Sequence, residues 1–173
     1  MRLFFALWPD DALREALHRM ARKPVRHAGG KPVTPDNYHV TLKFLGSTDD
    51  DGYDCVCAAA DAIRAQPFEL RLDQIGFWPK PRILWLGAEQ VPEALTALVH
   101  DLDQAAEGCG FEPELRPYRP HVTLVRKVGK PGEPETVQPL VWRPKAFVLA
   151  ASETLSQGAH YRVLRSWALT SEL

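Results

Sequence analysis

The chain has 173 residues, enough for a folded domain with a sizeable core, and its apolar (45%) and charged (25%) fractions are typical of a globular protein. A formal net charge of −1 excludes a protein that coats long stretches of nucleic-acid backbone, because that class needs a strongly basic surface. No apolar run is as long as a membrane span, and the opening residues lack a secretory cleavage pattern, so we expect a cytoplasmic protein.

Hydrophobic periodicity predicts alternating strands and helices through the first half of the chain. In chain order these are a strand over 2–8, a helix after Asp10, a Pro/Gly-rich connection over 23–37, a strand over 38–45, a helix to about residue 66, and strands over 68–75 and 82–86. Asp10 is placed to cap the first helix, whose apolar stripe is Leu13, Leu17 and Met20.

The second half is predicted to contain one helix and three strands. In chain order these are a helix from Pro92 to Gly108 or Gly110, a strand over 121–126, a polar, proline-rich surface loop over 130–139, and strands over 147–152 and 161–169. The short, partly polar strands do not resemble a buried parallel sheet. The pattern favours an α+β fold in which residues 1–173 form one domain of two lobes, each with an antiparallel sheet flanked by helices and with a cleft between them.

The cysteines and histidines give no sign of a metal site. Cys55, Cys57 and Cys109 are odd in number and have no framework spacing, so we expect reduced thiols packed against apolar neighbours. There is no HExxH sequence and no paired His-Cys cluster. We therefore expect no catalytic metal and no cofactor.

The tetrapeptide HVTL occurs twice, at residues 39–42 and 121–124. Each copy has a proline four residues before its histidine, a tyrosine close by and a glycine after it, which indicates a duplicated strand-and-turn unit. Residues i and i+2 of a strand share a face. Each motif therefore presents an imidazole beside a hydroxyl, with Val and Leu packed behind them, and a cleft between the lobes would place the two histidines face to face.

Two histidines and two threonines are sufficient for metal-free chemistry on a phosphodiester. One imidazole accepts a proton from the attacking water and the other protonates the departing oxygen, and an unperturbed pKa near ~6.5 suits both roles. The threonines and a nearby cation stabilise charge on the phosphate oxygens. A basic patch suited to one phosphate group or an RNA end surrounds the second motif, and its members are Arg116, Arg119, Arg126, Lys127 and Lys130.

The paired H-x-T-x motifs resemble those of the 2H phosphoesterase superfamily. The segments RLFFALWP, NYHVTLKFLG, RPHVTLVRK and YRVLRSWALT resemble more narrowly its bacterial and archaeal RNA 2′,3′-cyclic phosphodiesterases, which were first described as 2′-5′ RNA ligases. The resemblance spans nearly the whole chain. It implies a bilobal fold with a pseudo-twofold axis through the cleft, and metal-independent hydrolysis of the cyclic phosphate at an RNA 3′ end, or of a small cyclic nucleotide, to a 2′-phosphate. We expect a monomer with no obligate protein partner.

The resemblance also implies a role for each matching residue. His39 would be the general acid that protonates the departing 3′ oxygen, and His121 the general base on the water; the nearly symmetric motifs alone leave this assignment open. Thr41 and Thr123 would bind the phosphate, and Arg126 matches a family arginine near it. Strict alternation points Arg126 away from His121, so it reaches the phosphate only if the strand bends or ends before it.

The aromatic residues offer one candidate for binding a base. Phe5, on the first strand, is a possible stacking platform for the terminal base, and its alternative is a place in the core. Trp8, Trp78 and Trp85 show no such indication, and Trp167 is expected to pack in the last strand.

Other functions are compatible with the same motifs. Ligation of cyclic phosphate and 5′-hydroxyl ends through a 2′-5′ bond would use the same histidines but must also hold a second RNA end, which the modest basic surface disfavours. A cyclic-nucleotide or ADP-ribose cyclic phosphate substrate is compatible with motifs that contact only the phosphate. A non-catalytic RNA-end or nucleotide-binding module would not need all four motif residues. A zinc hydrolase would need further ligands near the cleft, and the spacing shows none.

Overall fold

A computed structural model describes residues 1–171, which contain three α-helices and nine β-strands. In chain order the elements are β1 (Arg2–Leu7), α1 (Asp11–Ala28), β2 (Lys31–Pro32), β3 (Val40–Ser47), α2 (Asp50–Asp61), β4 (Leu70–Trp78), β5 (Ile83–Gly87), α3 (Glu93–Gly108), β6 (His121–Arg126), β7 (Glu135–Trp142), β8 (Ala146–Leu155) and β9 (Gly158–Ala168). Asp10 caps α1 as predicted, because its carboxylate accepts a hydrogen bond from the Leu13 amide. No helix within residues 1–171 is long and apolar enough to cross a membrane.

The strands pair antiparallel in the order β7-β4-β5-β6-β3-β1-β8-β9, with β2 also paired to β6. The two halves of this order, β7-β4-β5-β6 and β3-β1-β8-β9, are joined where β6 meets β3, through the single pair Val40 and Val122. The predicted α+β class is therefore confirmed, and the two predicted sheets are connected into one at their centre. In each half a segment containing one helix leads to the motif strand, α1 between β1 and β3 and α3 between β5 and β6.

The two faces of the sheet have different environments. Alternate residues of β1 illustrate this: Leu3, Phe5 and Leu7 join the main core with residues of all three helices, while Phe4 and Ala6 belong to a smaller apolar cluster on the opposite face. The central Val40 and Val122 lie in the main core. Consequently the alternate residues of both motifs, the histidines and threonines, lie on the face that the helices do not cover.

Both motif strands contain a β-bulge at the leucine of HVTL. In β6 one extra residue, Leu124, lies between the partners of Leu84 and Trp85, and in β3 the extra residue is Leu42. A bulge places two consecutive side chains on one face of the sheet. The residues that follow the two leucines, Lys43 and Val125, are accordingly buried as well.

Two predicted connections contain regular structure instead. Helix α1 continues through Pro24 to Ala28, so the connection predicted over 23–37 was wrong in its first part; burial of Ala21 and Ala28 stabilises this last section of the helix. Strand β7 begins at Glu135 and so occupies the second half of the predicted 130–139 loop. It lies at the edge of the sheet, and its register with β4 shifts beside Pro139, which is how a strand accommodates a residue without an amide hydrogen.

The expectation of three reduced thiols was also wrong. Cys55 in α2 and Cys109 at the end of α3 form a disulfide with their Cα atoms 5.8 Å apart, whereas Cys57 is free and buried as expected. Packing of α2 against α3 brings the two cysteines together. Their separation of 54 residues carries no signal of this contact in the sequence.

A buried ion pair fixes the first motif strand to α3. The Lys43 ammonium, 7% exposed, lies 2.7 Å from an Asp103 carboxylate oxygen and donates a second hydrogen bond to the Glu112 carbonyl. The same carboxylate accepts the Glu114 amide hydrogen. Hydrogen bonding to Lys43 holds the pKa of Asp103 below its usual range, against the opposing effect of burial.

We expect Asp103→Ala to reduce the free energy of unfolding by about 3 kcal/mol, because it leaves the buried Lys43 charge without an opposite charge. Urea denaturation of the purified variant measures the loss. The double variant Lys43→Met/Asp103→Leu removes both charges and should recover most of the stability. If Asp103→Ala were as stable as the wild type, the ion pair would not contribute to holding β3 in place.

Candidate active site

The two motif histidines are held in the same way. Nδ1 of His39 lies 2.8 Å from the Asn37 carbonyl, and Nδ1 of His121 lies 2.8 Å from the Arg119 carbonyl. Since a carbonyl can only accept, each Nδ1 carries a hydrogen and donates it. Both rings therefore keep Nε2 as the nitrogen that can gain or lose a proton, as a general acid or base requires.

The threonines lie beside these nitrogens. His39 Nε2 is 3.0 Å from the Thr41 hydroxyl. The Val40–Val122 register places His39 opposite Thr123 and Thr41 opposite His121 across the centre of the sheet. The four predicted residues thus form one cluster where the two halves meet.

A tyrosine from one half supports the motif of the other. Tyr118, which precedes β6, donates its hydroxyl hydrogen to the Thr41 carbonyl at 2.9 Å. Burial raises the pKa of this phenol, so it remains a donor. The bond fixes the backbone of the first motif against the segment that leads into the second.

Arg126 points back toward the site because of the bulge at Leu124. Leu124 and Val125 are both buried, so the alternation is reset and the exposed Arg126 lies on the same face as His121 and Thr123. Its charge contributes to lowering the pKa of both histidines, in agreement with this placement. For Arg126 to face the site, the strand had to depart from strict alternation before it, and the bulge is such a departure.

The remaining predicted cations differ in their surroundings. Arg116 is 86% exposed and pairs with Glu114, so it is no free charge for a phosphate. Arg119, Lys127 and Lys130 are exposed and form no ion pair within residues 1–171. In that part of the chain no three His, Cys, Asp or Glu side chains are grouped so that they could hold a metal ion.

Aromatic side chains pack against both histidines, and none of these contacts was predicted from the sequence. Trp8 stacks on His39 with ring centroids 5.3 Å apart and planes 10° apart. Phe4 and Tyr161 also contact His39, and Trp78 packs against His121 with centroids 4.5 Å apart. The signal available in the sequence was the period-two pattern of β1, which places Phe4, and not Phe5, on the histidine face.

The proposed base platform at Phe5 is contradicted by its position in the core. Phe5 is 1% exposed and packs against Phe147 and Trp167. Trp167 is thus packed in the last strand as predicted. An exposed aromatic side chain on the site face is Phe44, which follows the bulge in β3 at the position equivalent to Arg126 in β6 and is 54% exposed.

Burial changes the acid–base properties of the site. It lowers the pKa of His39 to about 4, with Arg126 and His121 contributing in the same direction. Burial and Arg126 also lower the pKa of His121. The unperturbed value near ~6.5 that the sequence suggested therefore does not apply, and both rings are neutral at pH 7 before an anion binds.

We expect the pH optimum of kcat/KM to lie below about pH 6.5, because this parameter reports the pKa values of the free protein. The base must be neutral, so activity falls as the pH drops below its lowered pKa. The acid must be protonated, so activity falls as the pH rises above its lowered pKa. A bound anionic substrate favours the protonated rings and so raises the pKa of both histidines. The optimum of kcat, which reports the substrate complex, should therefore lie at higher pH than that of kcat/KM. Steady-state kinetics from pH 4 to 8 on a cyclic-phosphate substrate test this, and a kcat/KM optimum above pH 7 would contradict it.

Comparison with known proteins identifies the family. A model of the LigT-like phosphoesterase family matches residues 7–85 and again residues 86–154, so each match contains one HVTL motif. The chain belongs to this family. The RNA 2′,3′-cyclic phosphodiesterase of Escherichia coli K12 is 34% identical over 98% of this chain and 97% of its own length. The protein of the same name from Thermus thermophilus is 32% identical over 99% of this chain and 92% of its own.

Solved structures agree with the sequence matches. The crystal structure of E. coli LigT complexed with 3′-AMP superposes with a TM-score of 0.89 at 33% identity and covers 98% of both chains. The structure of TT0787 from T. thermophilus gives a TM-score of 0.83 at 31% identity with the same coverage. The α+β phosphoesterase fold that the motifs implied is therefore shared along nearly the full length of the chain.

Proposed function

We propose that the protein hydrolyses the 2′,3′-cyclic phosphate at an RNA 3′ end and leaves a 2′-phosphate. The observation that carries this is the pair of imidazoles whose Nδ1 atoms donate to backbone carbonyls, so that two Nε2 atoms share one cluster with two threonines. Relatives named RNA 2′,3′-cyclic phosphodiesterase, similar over nearly the whole chain, support the choice of substrate.

In the proposed reaction a water oxygen forms a bond to phosphorus as the bond from phosphorus to the 3′ oxygen breaks. His121 Nε2 takes a proton from the water, and His39 Nε2 gives a proton to the departing 3′ oxygen. Thr41, Thr123 and Arg126 stabilise the charge on the non-bridging oxygens. The phosphate remains on the 2′ oxygen, and the two histidines exchange protonation states during the turnover.

One asymmetry favours His39 as the acid. The parallel face of Trp8 lies against His39, and an aromatic face stabilises a cation above it. Trp78 meets His121 at 78°, without such parallel stacking. In the free protein burial outweighs this effect and keeps His39 neutral. The negative charge of the bound phosphate then shifts the balance toward the protonated ring.

Phe44 is the side chain that we expect to stack on the nucleobase. It lies three residues beyond Thr41 on β3, about 10 Å along the strand, and its ring is more than half exposed. Phe44→Ala should raise KM about tenfold, within the range for loss of one base–aromatic stack, and leave kcat nearly unchanged. Phe44→Trp is the matched control and should retain the wild-type KM. An unchanged KM for Phe44→Ala would exclude this contact.

The decisive experiment is hydrolysis of a short RNA with a 2′,3′-cyclic phosphate by the wild-type protein in EDTA, with the product isomer identified. Metal-independent conversion to the 2′-phosphate would support the proposal. Binding without turnover would favour a nucleotide-binding module, and activity abolished by EDTA would exclude the metal-free mechanism. Adding an RNA with a 5′-hydroxyl tests ligation in the same assay, since a joined product would appear as a longer strand.

A further inference from the structure

Lys31 lies next to Arg126 on the site face of the sheet. The short strand β2 pairs antiparallel with the end of β6, and Lys31 is directly opposite Arg126 in the register. Directly opposed residues of an antiparallel pair project from the same face, with their Cβ atoms about 5 Å apart. A second cation therefore extends beside the arginine that faces the two histidines.

The backbone holds Lys31 in this position from both sides. The Val33 amide donates to the Leu124 carbonyl at 2.9 Å, and the Ala28 carbonyl accepts from the amides of Gly129 and Lys130. Gly30 has φ +93°, and a Cβ atom there would lie 2.4 Å from the Lys127 carbonyl oxygen, so the chain passes against β6 as closely as glycine allows. Lys31 is thus part of a fixed β2–β6 contact.

The segment of the chain that contains Lys31 carries only positive charges. Residues 16–35 contain no Asp or Glu. The exposed cations that backbone contacts place beside the Lys31 segment are Arg126, Lys127 and Lys130, and none of the four forms an ion pair within residues 1–171. A run of unpaired cations that begins at the site suits a ligand with more than one phosphate.

We propose that Lys31 binds the phosphodiester immediately 5′ of the terminal nucleotide, while Arg126 binds the cyclic phosphate. This inference rests on the proposed function and narrows the class of substrate. The site should prefer an oligonucleotide end to a cyclic mononucleotide, because a mononucleotide has no second phosphate for Lys31 to bind.

The test compares two substrates, a dinucleotide that ends in a 2′,3′-cyclic phosphate and a 2′,3′-cyclic mononucleotide. Lys31→Ala should lower kcat/KM for the dinucleotide about tenfold, as expected for loss of a charge-assisted hydrogen bond, and leave the mononucleotide unchanged. Lys31→Arg should restore the dinucleotide rate. Lys145→Ala, at an exposed lysine between β7 and β8, is the matched control and should affect neither substrate.

A dinucleotide with a neutral methylphosphonate at its internal linkage gives an independent readout. The kcat/KM of the wild-type protein for this substrate should equal that of Lys31→Ala for the natural dinucleotide. Lys31→Ala should show no further loss of kcat/KM on the methylphosphonate. Equal losses for mononucleotide and dinucleotide, or no loss for either, would overturn the assignment of Lys31. If the wild type hydrolyses neither substrate, the proposed function fails. The affinity of wild type and Lys31→Ala for a dinucleotide with a terminal 3′-phosphate then decides the role of Lys31: a tenfold difference supports it and equal affinity overturns it.

Discussion

Replacing either His39 or His121 with alanine is expected to lower kcat by about 10²–10⁴-fold, the range for loss of a positioned general acid or base. Each ring is fixed by a hydrogen bond from Nδ1 to a carbonyl two residues earlier, and alanine removes the proposed proton-transfer group at Nε2. Rapid-quench or steady-state assays on an RNA ending in a cyclic phosphate measure the loss. Substrate affinity should change much less than kcat.

The two variants can be told apart by the leaving group. In a cyclic substrate with sulfur in place of the 3′ bridging oxygen, the leaving group departs as a thiolate. A thiolate leaving group needs little protonation by a general acid. If His39 is the acid, this substrate should recover much of the rate of His39→Ala and little of the rate of His121→Ala. The opposite pattern would reverse the two roles. His160→Ala, at an exposed histidine of β9, is the matched control and should keep wild-type kcat.

Arg126→Ala is expected to lower kcat/KM by about 10²-fold, because the guanidinium stabilises charge that develops on the phosphate oxygens. The same substitution removes a charge that lowers the pKa of both histidines. The optimum of kcat/KM should therefore move to higher pH as well, and the two effects together identify a charge beside both rings. A loss of rate without a shift of the pH profile would contradict that placement.

Arg126→Lys separates charge from shape. A lysine keeps the positive charge, so the pH profile should remain close to that of the wild type, but it lacks the two-pronged geometry that binds two phosphate oxygens. Its kcat/KM should lie between those of the wild type and Arg126→Ala. The control for a general change in surface charge is Lys145→Ala, which should leave both the rate and the pH profile unchanged.

The repeated tetrapeptide was sufficient to predict the central cluster. Because residues i and i+2 of a strand share a face, the motif predicted that His39 and Thr41 project together and that His121 and Thr123 do the same. The two valines between them were predicted to pack behind, and they lie in the core. The α+β class, the cap at Asp10 and the two motif strands follow from equally local rules. Such rules succeed because a residue and its neighbours along the strand or helix determine which way each side chain points.

Other features depended on contacts between residues far apart in the chain, and only the tertiary structure decided them. The bulge at Leu124, which is a shift in the register between β6 and β5, places Arg126 on the face of the histidines. Burial by surrounding side chains lowers the pKa of His39. Packing of α2 against α3 joins Cys55 to Cys109, and the β2–β6 pairing places Lys31 beside Arg126. The sequence by itself determined which side chains of the two motifs share a face, because strand periodicity is local. Their protonation, their neighbouring cations and the direction of Arg126 depend on strand pairing and burial, which no local pattern records.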